Sequence, residues 1–216
     1  MGCFFGSGPF ALGACLIAFS TPIASNHISE LKMSPIPPLE SLGPRICVFG
    51  PSNAGKSTLA AAIAHKRALR PVHLDLLFHK PHTNWVPRPR EEFVALHDQA
   101  IAAEHWVIEG NYMGLLGPRL ARASGIILLG TDRWSAFARY LHRTLFQKSR
   151  VGALPGNQDS IKWNMIRFIL WEQPRKRQRD IVLLRASGLP MLTLQSLHEL
   201  QKVYATWDLE SHFYER

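Results

Sequence analysis

Cysteine is scarce in this chain, with three among 216 residues. That is too few for a disulfide framework and points to a reducing compartment, the cytoplasm. Long apolar runs are also missing. The N-terminal stretch from Pro9 to Phe19 has eleven residues, too short to cross about 30 Å of hydrocarbon. Charge is absent from Met1 to Ser29. Lacking a positive n-region, this segment departs from a signal peptide. Gly6 stands where a myristoylation pattern wants Ser or Thr. Two readings stay open. Either Met33 is the start, ahead of a lead-in carrying Pro35, Pro37, Pro38 and Pro44, or Met1–Lys32 is a targeting or membrane-associating extension. Under both, residues 1–44 are expected to lie outside the fold.

Acidic residues are the next shortage. Sixteen Asp and Glu face 25 Lys and Arg, for a net charge of +9. Such a balance favours anionic partners, whether nucleotides, nucleic acid or a membrane surface. The excess is local. Between Thr131 and Gly188, twelve basic residues stand against four acidic ones. A solvated helix face is one reading of that run and a phosphate-binding segment is the other. No internal repeat occurs, and His73, His79 and His82 lack a metal-ligand spacing, so they read as surface or loop residues.

What is present is more decisive. The strand-type run Arg45-Ile-Cys-Val-Phe49 leads directly into Gly50-Pro-Ser-Asn-Ala-Gly-Lys-Ser-Thr58. Leu59–Lys66 follows, built of strong helix formers. This is G-x-x-x-x-G-K-[ST] in its strand–loop–helix setting. Glycines let backbone N–H groups turn inward around phosphate oxygens, and the helix N-terminus adds partial positive charge. Gly50, Ser52, Asn53, Ala54, Gly55, Lys56, Ser57 and Thr58 are therefore the expected nucleotide-binding residues. Lys56 is a point charge for the β- and γ-phosphates of ATP, and the Ser57 hydroxyl is a ligand for Mg²⁺.

Beyond the loop, strands and helices alternate. Pro71–Asp75, Trp106–Glu109, Gly125–Leu129 and Pro190–Leu194 read as strands, while Arg90–Ala103 and Trp134–Phe146 read as helices. Asp132 is a candidate N-cap, and Ser196-Leu-His-Glu199 is a capping box for a last helix. Such alternation means an α/β fold with a parallel sheet covered on both faces, its ligands beyond the strands' carboxyl ends. Asp75 and Glu109 would lie there. A P-loop site needs one carboxylate for Mg²⁺, and a kinase needs one to orient the attacking hydroxyl. Glu109 and Ser57 are the expected metal ligands. Arg139 and Arg143, four residues apart, project from one helix face and could stabilise a migrating phosphoryl group. Arg175, Arg177 and Arg179 come after an apolar-faced helix, beyond a loop at Val151–Asp159. A basic segment hinged beside a P-loop suits a lid.

With these segments in view, the chain resembles the adenylate-kinase-related P-loop proteins labelled DNA topology modulation proteins. The resemblance rests on Gly50–Thr58, on Leu74-Asp-Leu76 with Asn84-Trp85, on Trp106-Val-Ile-Glu-Gly-Asn-Tyr112, and on Ile127–Trp134 leading to Arg139 and Arg143. It implies an adenylate-kinase-like core: a five-stranded parallel sheet flanked by helices, a nucleotide-monophosphate-like acceptor region and a lid. It also implies ATP with Mg²⁺, and donor contacts for Arg139 and Arg143. The chain carries Glu109 and Gly130 where the family pattern has Asp. The expected domain is a P-loop kinase-like unit over 45–216, with its lid at about 147–180.

Three functions compete. In the first, the γ-phosphoryl of ATP passes to a small, nucleotide-like acceptor, with Lys56, Arg139, Arg143, Asp75 and Glu109 in the reaction and Arg88 or Arg90 near an acceptor phosphate. The second is an NTP-dependent nucleic-acid-associated protein, in which the basic segment tracks a phosphate backbone. The third is a nucleotide-binding regulator with little turnover.

Overall fold

The computed structural model describes residues 35–146, 152, 154, 156 and 160–210. The expected N-terminal extension through residue 34, and the part of the expected lid at 147–151, 153, 155 and 157–159, lie outside the described residues. Five strands form one parallel sheet: β1 (Arg45–Phe49), β2 (Arg70–His73), β3 (Trp106–Glu109), β4 (Gly125–Leu129) and β5 (Met191–Leu194). Their spatial order is β2-β3-β1-β4-β5. The first strand is central, with β2 and β3 to one side and β4 and β5 to the other.

Burial follows from that order. β3 and β4 are covered on both faces and are apolar apart from Glu109 at the end of β3, whereas the edge strand β2 is half open. Within β1 the side chains alternate. Ile46 and Val48 join one core with Leu59, Ile63, Leu200 and Val203, and Cys47 and Phe49 join the other with Val72, Ala100, Ile108 and Leu184. The first core is closed by α1 (Lys56–Arg67) and a C-terminal helix, Leu197–Thr206. The second is closed by helices at Arg90–Ile101, Leu116–Arg122 and Gln173–Arg185. In chain order the helices are α1, α2 (Leu74–Phe78), α3 (Arg90–Ile101), α4 (Leu116–Arg122), α5 (Arg133–Phe146), α6 (Trp163–Arg167), α7 (Gln173–Arg185) and α8 (Leu197–Thr206).

Besides shifts of one or two residues at the ends of elements, three features differ from the expectation. The fold begins before Arg45: Leu39 and Leu42 are buried in the first core, and Trp207 Nε1 donates to the Pro37 carbonyl at 2.9 Å. Apolar burial, at roughly 1.5–3 kcal/mol per leucine, draws that short turn onto the sheet. Strand β2 ends at His73, its last pairing partner being Glu109, and Asp75 falls in the first turn of α2. Finally, Arg175, Arg177 and Arg179 lie within α7, which is joined to α6 through a π-helical turn, Phe168–Glu172. Asp132 caps α5, its Oδ1 accepting from the N–H groups of Trp134 and Ser135 at 3.0 and 2.9 Å. Half of the expected capping box forms: Ser196 Oγ accepts from Glu199 N at 3.2 Å, while the Glu199 carboxylate accepts from the N–H of Gln195, one residue before the cap, at 2.7 Å. No helix among the described residues is long and apolar enough to cross a membrane.

Candidate functional site

Parallel pairing aligns the carboxyl ends of the strands. Val48 and His73 both sit opposite Glu109 in the register. The loop between β1 and α1 starts at Gly50, which has φ of +144° and lies so close to β4 that a Cβ would stand 2.7 Å from the Leu129 carbonyl oxygen. Only glycine meets both conditions. Gly50 donates its N–H to Asn111 Oδ1 at 3.2 Å. It therefore shapes the turn rather than lining the cavity. Asn53 at φ +62° and Gly55 at φ +91° complete the curl, and α1 starts at Lys56.

Above this loop is a cavity of about 1140 Å³. Ser52, Asn53, Ala54, Gly55, Lys56, Ser57 and Thr58 line it, together with Asp75, Glu109, Arg139 and Arg143. The residues expected from sequence thus share one cavity, Gly50 excepted. Lys56 Nζ donates to the Pro51 carbonyl at 2.8 Å. Desolvation lowers the lysine's pKa, the charges of Glu109 and Asp75 oppose that shift, and Arg143 adds to it. Glu109, Asp75 and Arg143 are thus all within electrostatic reach of Lys56.

Glu109 is buried at the end of β3. Its Oε1 accepts from Ser57 Oγ at 3.0 Å and lies 3.0 Å from His73 Nδ1. Burial pushes its pKa up, but His73, Lys56 and Ser57 outweigh that and hold it below the usual carboxylate range. His73, expected at the surface or in a loop, is instead the largely covered partner of this carboxylate, because β2 ends against β3 at that pair. Gly152 lies against it, where a Cβ would stand 2.9 Å from His73 Nδ1.

Asp75 occupies another wall and is open to solvent. Tyr112 donates its hydroxyl to Asp75 Oδ1 at 2.6 Å, and burial followed by the Asp75 charge raises the phenol's pKa, so it stays a donor. Tyr112 packs against Phe78 and Phe93, with ring centroids 5.1 and 5.2 Å apart. Sequence reasoning missed what holds this turn. Arg119 is fully buried and donates to the carbonyls of Gly110 and Asn111, both at 2.8 Å, with its guanidinium 5.0 Å from the Phe49 ring centroid. An arginine in a short helix gave no signal of that role.

Arg88, expected near an acceptor phosphate, is engaged structurally. It donates to Glu92 at 2.8 Å, to the carbonyls of Leu76 and Leu77 at 3.1 Å, and to that of His79. Arg90 is exposed and does not line the cavity. Arg139 donates to Thr131 Oγ1 at 2.6 Å. From α7, Gln173 Oε1 accepts from the backbone N–H of Ser52 at 3.2 Å, and Arg177 fills the space beside Gly130.

Mg²⁺ prefers oxygen ligands and retains waters and phosphate oxygens, so it needs only one or two protein donors. Ser57 Oγ and Glu109 Oε1, 3.0 Å apart beside the phosphate loop, fit that requirement. The described residues contain no cluster of three or more His, Cys, Asp or Glu that would suit a fully protein-ligated metal.

No family model matches the chain, and no curated protein matches it. Among solved structures, a gluconokinase from Sinorhizobium meliloti 1021 is similar over 81% of this chain and 99% of its own length, at 16% identity and a TM-score of 0.41. A sugar kinase from Janibacter sp. HTCC2649 is similar over 78% and 96%, at 12% identity and a TM-score of 0.37.

Proposed function

We propose that this protein is a P-loop phosphotransferase that moves the γ-phosphoryl group of ATP to a small acceptor. One observation carries the reading: a single cavity joins the loop before α1 and the Ser57–Glu109 pair beside it to a wall bearing Asp75. The nucleotide phosphates lie along Ser52–Thr58, where backbone N–H groups and the start of α1 attract anions. Ser57 and Glu109 hold Mg²⁺, which when bound neutralises charge on the β- and γ-phosphates. Lys56, Arg139 and Arg143 stabilise charge on the migrating group. Asp75 orients the acceptor. The domain, with residues from 147 to 180 as its lid, and the resemblance to adenylate-kinase-related DNA topology modulation proteins belong to the same proposal.

A nucleic-acid role draws less support. Arg139, Arg143 and Lys162 line the cavity and Arg177 sits against Gly130, so a nucleic-acid backbone would have only the exposed remainder, such as Arg175, Lys176 and Arg179 on α7, to track. The test is a coupled ADP-release assay with Mg·ATP over a panel of nucleosides, nucleoside monophosphates and sugars. Acceptor-dependent turnover is expected, and Lys56→Ala is expected to abolish it. ATP binding without turnover on any acceptor would replace the kinase by a nucleotide-binding regulator.

A further inference from the structure

We infer that the acceptor offers a ring-borne alcohol, not a phosphate, to the γ-phosphorus, with Asp75 receiving its proton and Trp85 and His79 forming the aromatic corner against which the ring rests. This inference rests on the phosphotransferase reading above and narrows its substrate class.

The charge on the Asp75 wall argues for it. A phosphate acceptor needs a guanidinium or a nest of N–H groups to neutralise a dianion. From Asp75 to Arg90 neither Arg88 nor Lys80 lines the cavity, and Arg88 gives its Nε to Glu92 and its Nη1 to three carbonyls. Arg90 does not line the cavity. The acidic group that faces the cavity from this wall is Asp75, and a carboxylate there disfavours an incoming phosphate. The cations lining the cavity among the described residues, Lys56, Arg139, Arg143 and Lys162, stand on the phosphate loop, on α5 and on the segment entering α6.

The geometry of Asp75 suits a hydroxyl. Tyr112 holds one carboxylate oxygen at 2.6 Å, which leaves Oδ2 to accept from an acceptor O–H. His79 Nδ1 lies 3.1 Å from the Asp75 carbonyl, so its ring is tied to the same helical turn. Trp85 meets that ring edge-to-face at 5.2 Å. Asn84 and Trp85 have φ of +55° and +69°. A left-handed backbone is unfavourable for a tryptophan, and such strain concentrates where ligands are clamped. An aromatic wall beside a single carboxylate matches a molecule with one flat or C–H-bearing face and hydroxyls at its rim.

The reaction then balances simply. The acceptor oxygen forms a bond to the γ-phosphorus, and the bond from that phosphorus to the β,γ-bridging oxygen breaks. ADP leaves with the bonding pair, and the hydroxyl proton passes to Asp75 and on to solvent.

The experiment measures Mg·ATP binding by calorimetry and ADP release with adenosine, uridine and D-glucose against AMP, UMP and glucose 6-phosphate, for wild type, Asp75→Asn and Trp85→Ala. Expected are ATP binding in all three proteins and ADP release with at least one ring alcohol but not with its phosphate as acceptor group. Asp75→Asn should lower kcat by about 100- to 1,000-fold. Trp85→Ala should raise the acceptor KM by about tenfold. Faster turnover of a nucleoside monophosphate than of its nucleoside, or wild-type kcat in Asp75→Asn, overturns the inference and leaves the kinase reading standing. ATP binding with no turnover on any acceptor removes both.

Discussion

Ser57 Oγ donates to Glu109 Oε1 across 3.0 Å, tying the first turn of α1 to the last residue of β3. His73 lies 3.0 Å from the same oxygen, so one carboxylate joins three elements below the phosphate loop. If Ser57 and Glu109 hold Mg²⁺, Glu109→Gln should remove most of the Mg²⁺ dependence of ATP binding. His73→Ala, which unties Glu109, should weaken the Mg²⁺ requirement by about tenfold. ATP affinity measured in EDTA should be nearly equal in both variants and wild type. Calorimetric Mg²⁺ titrations decide the matter, and wild-type Mg²⁺ dependence in Glu109→Gln would reject this carboxylate as a ligand.

The lowered pKa of Lys56, caused first by desolvation, means that its cation is held at a cost in the ligand-free protein. A stability gain is therefore expected for Lys56→Met, with Tm up by about 2–4 °C per kcal/mol recovered. The same change should abolish ATP binding. A fall in Tm would show that the Lys56 contact with the Pro51 carbonyl matters more than the desolvation.

Arg119 supports the Gly110–Tyr112 turn from beneath. Arg119→Met leaves buried carbonyls unsatisfied and should lower stability by about 2–4 kcal/mol in urea denaturation. Arg119→Lys should recover little, since an ammonium cannot match the guanidinium fork. Full recovery by lysine would mean that charge, not planar geometry, is what the turn needs.

His97 gives the pH dependence. It is fully buried, and its Nε2 has no hydrogen-bond partner among the described residues. Desolvation lowers its pKa from about 6.5, the Asp98 hydrogen bond opposes this, and the Arg119 charge reinforces it. The unfolded chain therefore binds the proton more readily than the folded one. Stability from this group is complete above about pH 6.5 and declines as the pH falls below it, by at most about 1.4 kcal/mol per unit. His97→Gln should flatten that part of the stability profile, and an unchanged slope between pH 6.5 and 5 would assign it to other groups.

The sequence showed some of this site clearly and concealed the rest. Gly50–Thr58 was legible because the loop's backbone geometry dictates glycine at fixed spacing, and Glu109 because β3 is a short apolar run ending in a charge. His73 was not legible. Its role depends on the register that sets it opposite Glu109, and a single strand does not reveal its register. Asp75 was identified, but as a strand terminus. The chain turns helical at Leu74, whose side chain is fully buried in the second core, and this moves the carboxylate onto α2. Arg88 and Arg119 are equally charged in sequence, and only packing shows that both serve backbone carbonyls.

The alternation of strands and helices and the glycine-bounded loop between β1 and α1 were determined by the sequence alone, because hydrophobic period and glycine spacing are local properties. Tertiary structure decided the strand order, the inclusion of Leu39 and Leu42 in the core, and the meeting of Ser57, His73 and Glu109. It also set Asp75 with Tyr112 and Trp85 on a wall that its own arginine does not neutralise. Those relationships join residues up to 170 positions apart, as between Trp207 and Pro37. Contacts of that kind arise from collective burial of both sheet faces, which local sequence does not encode.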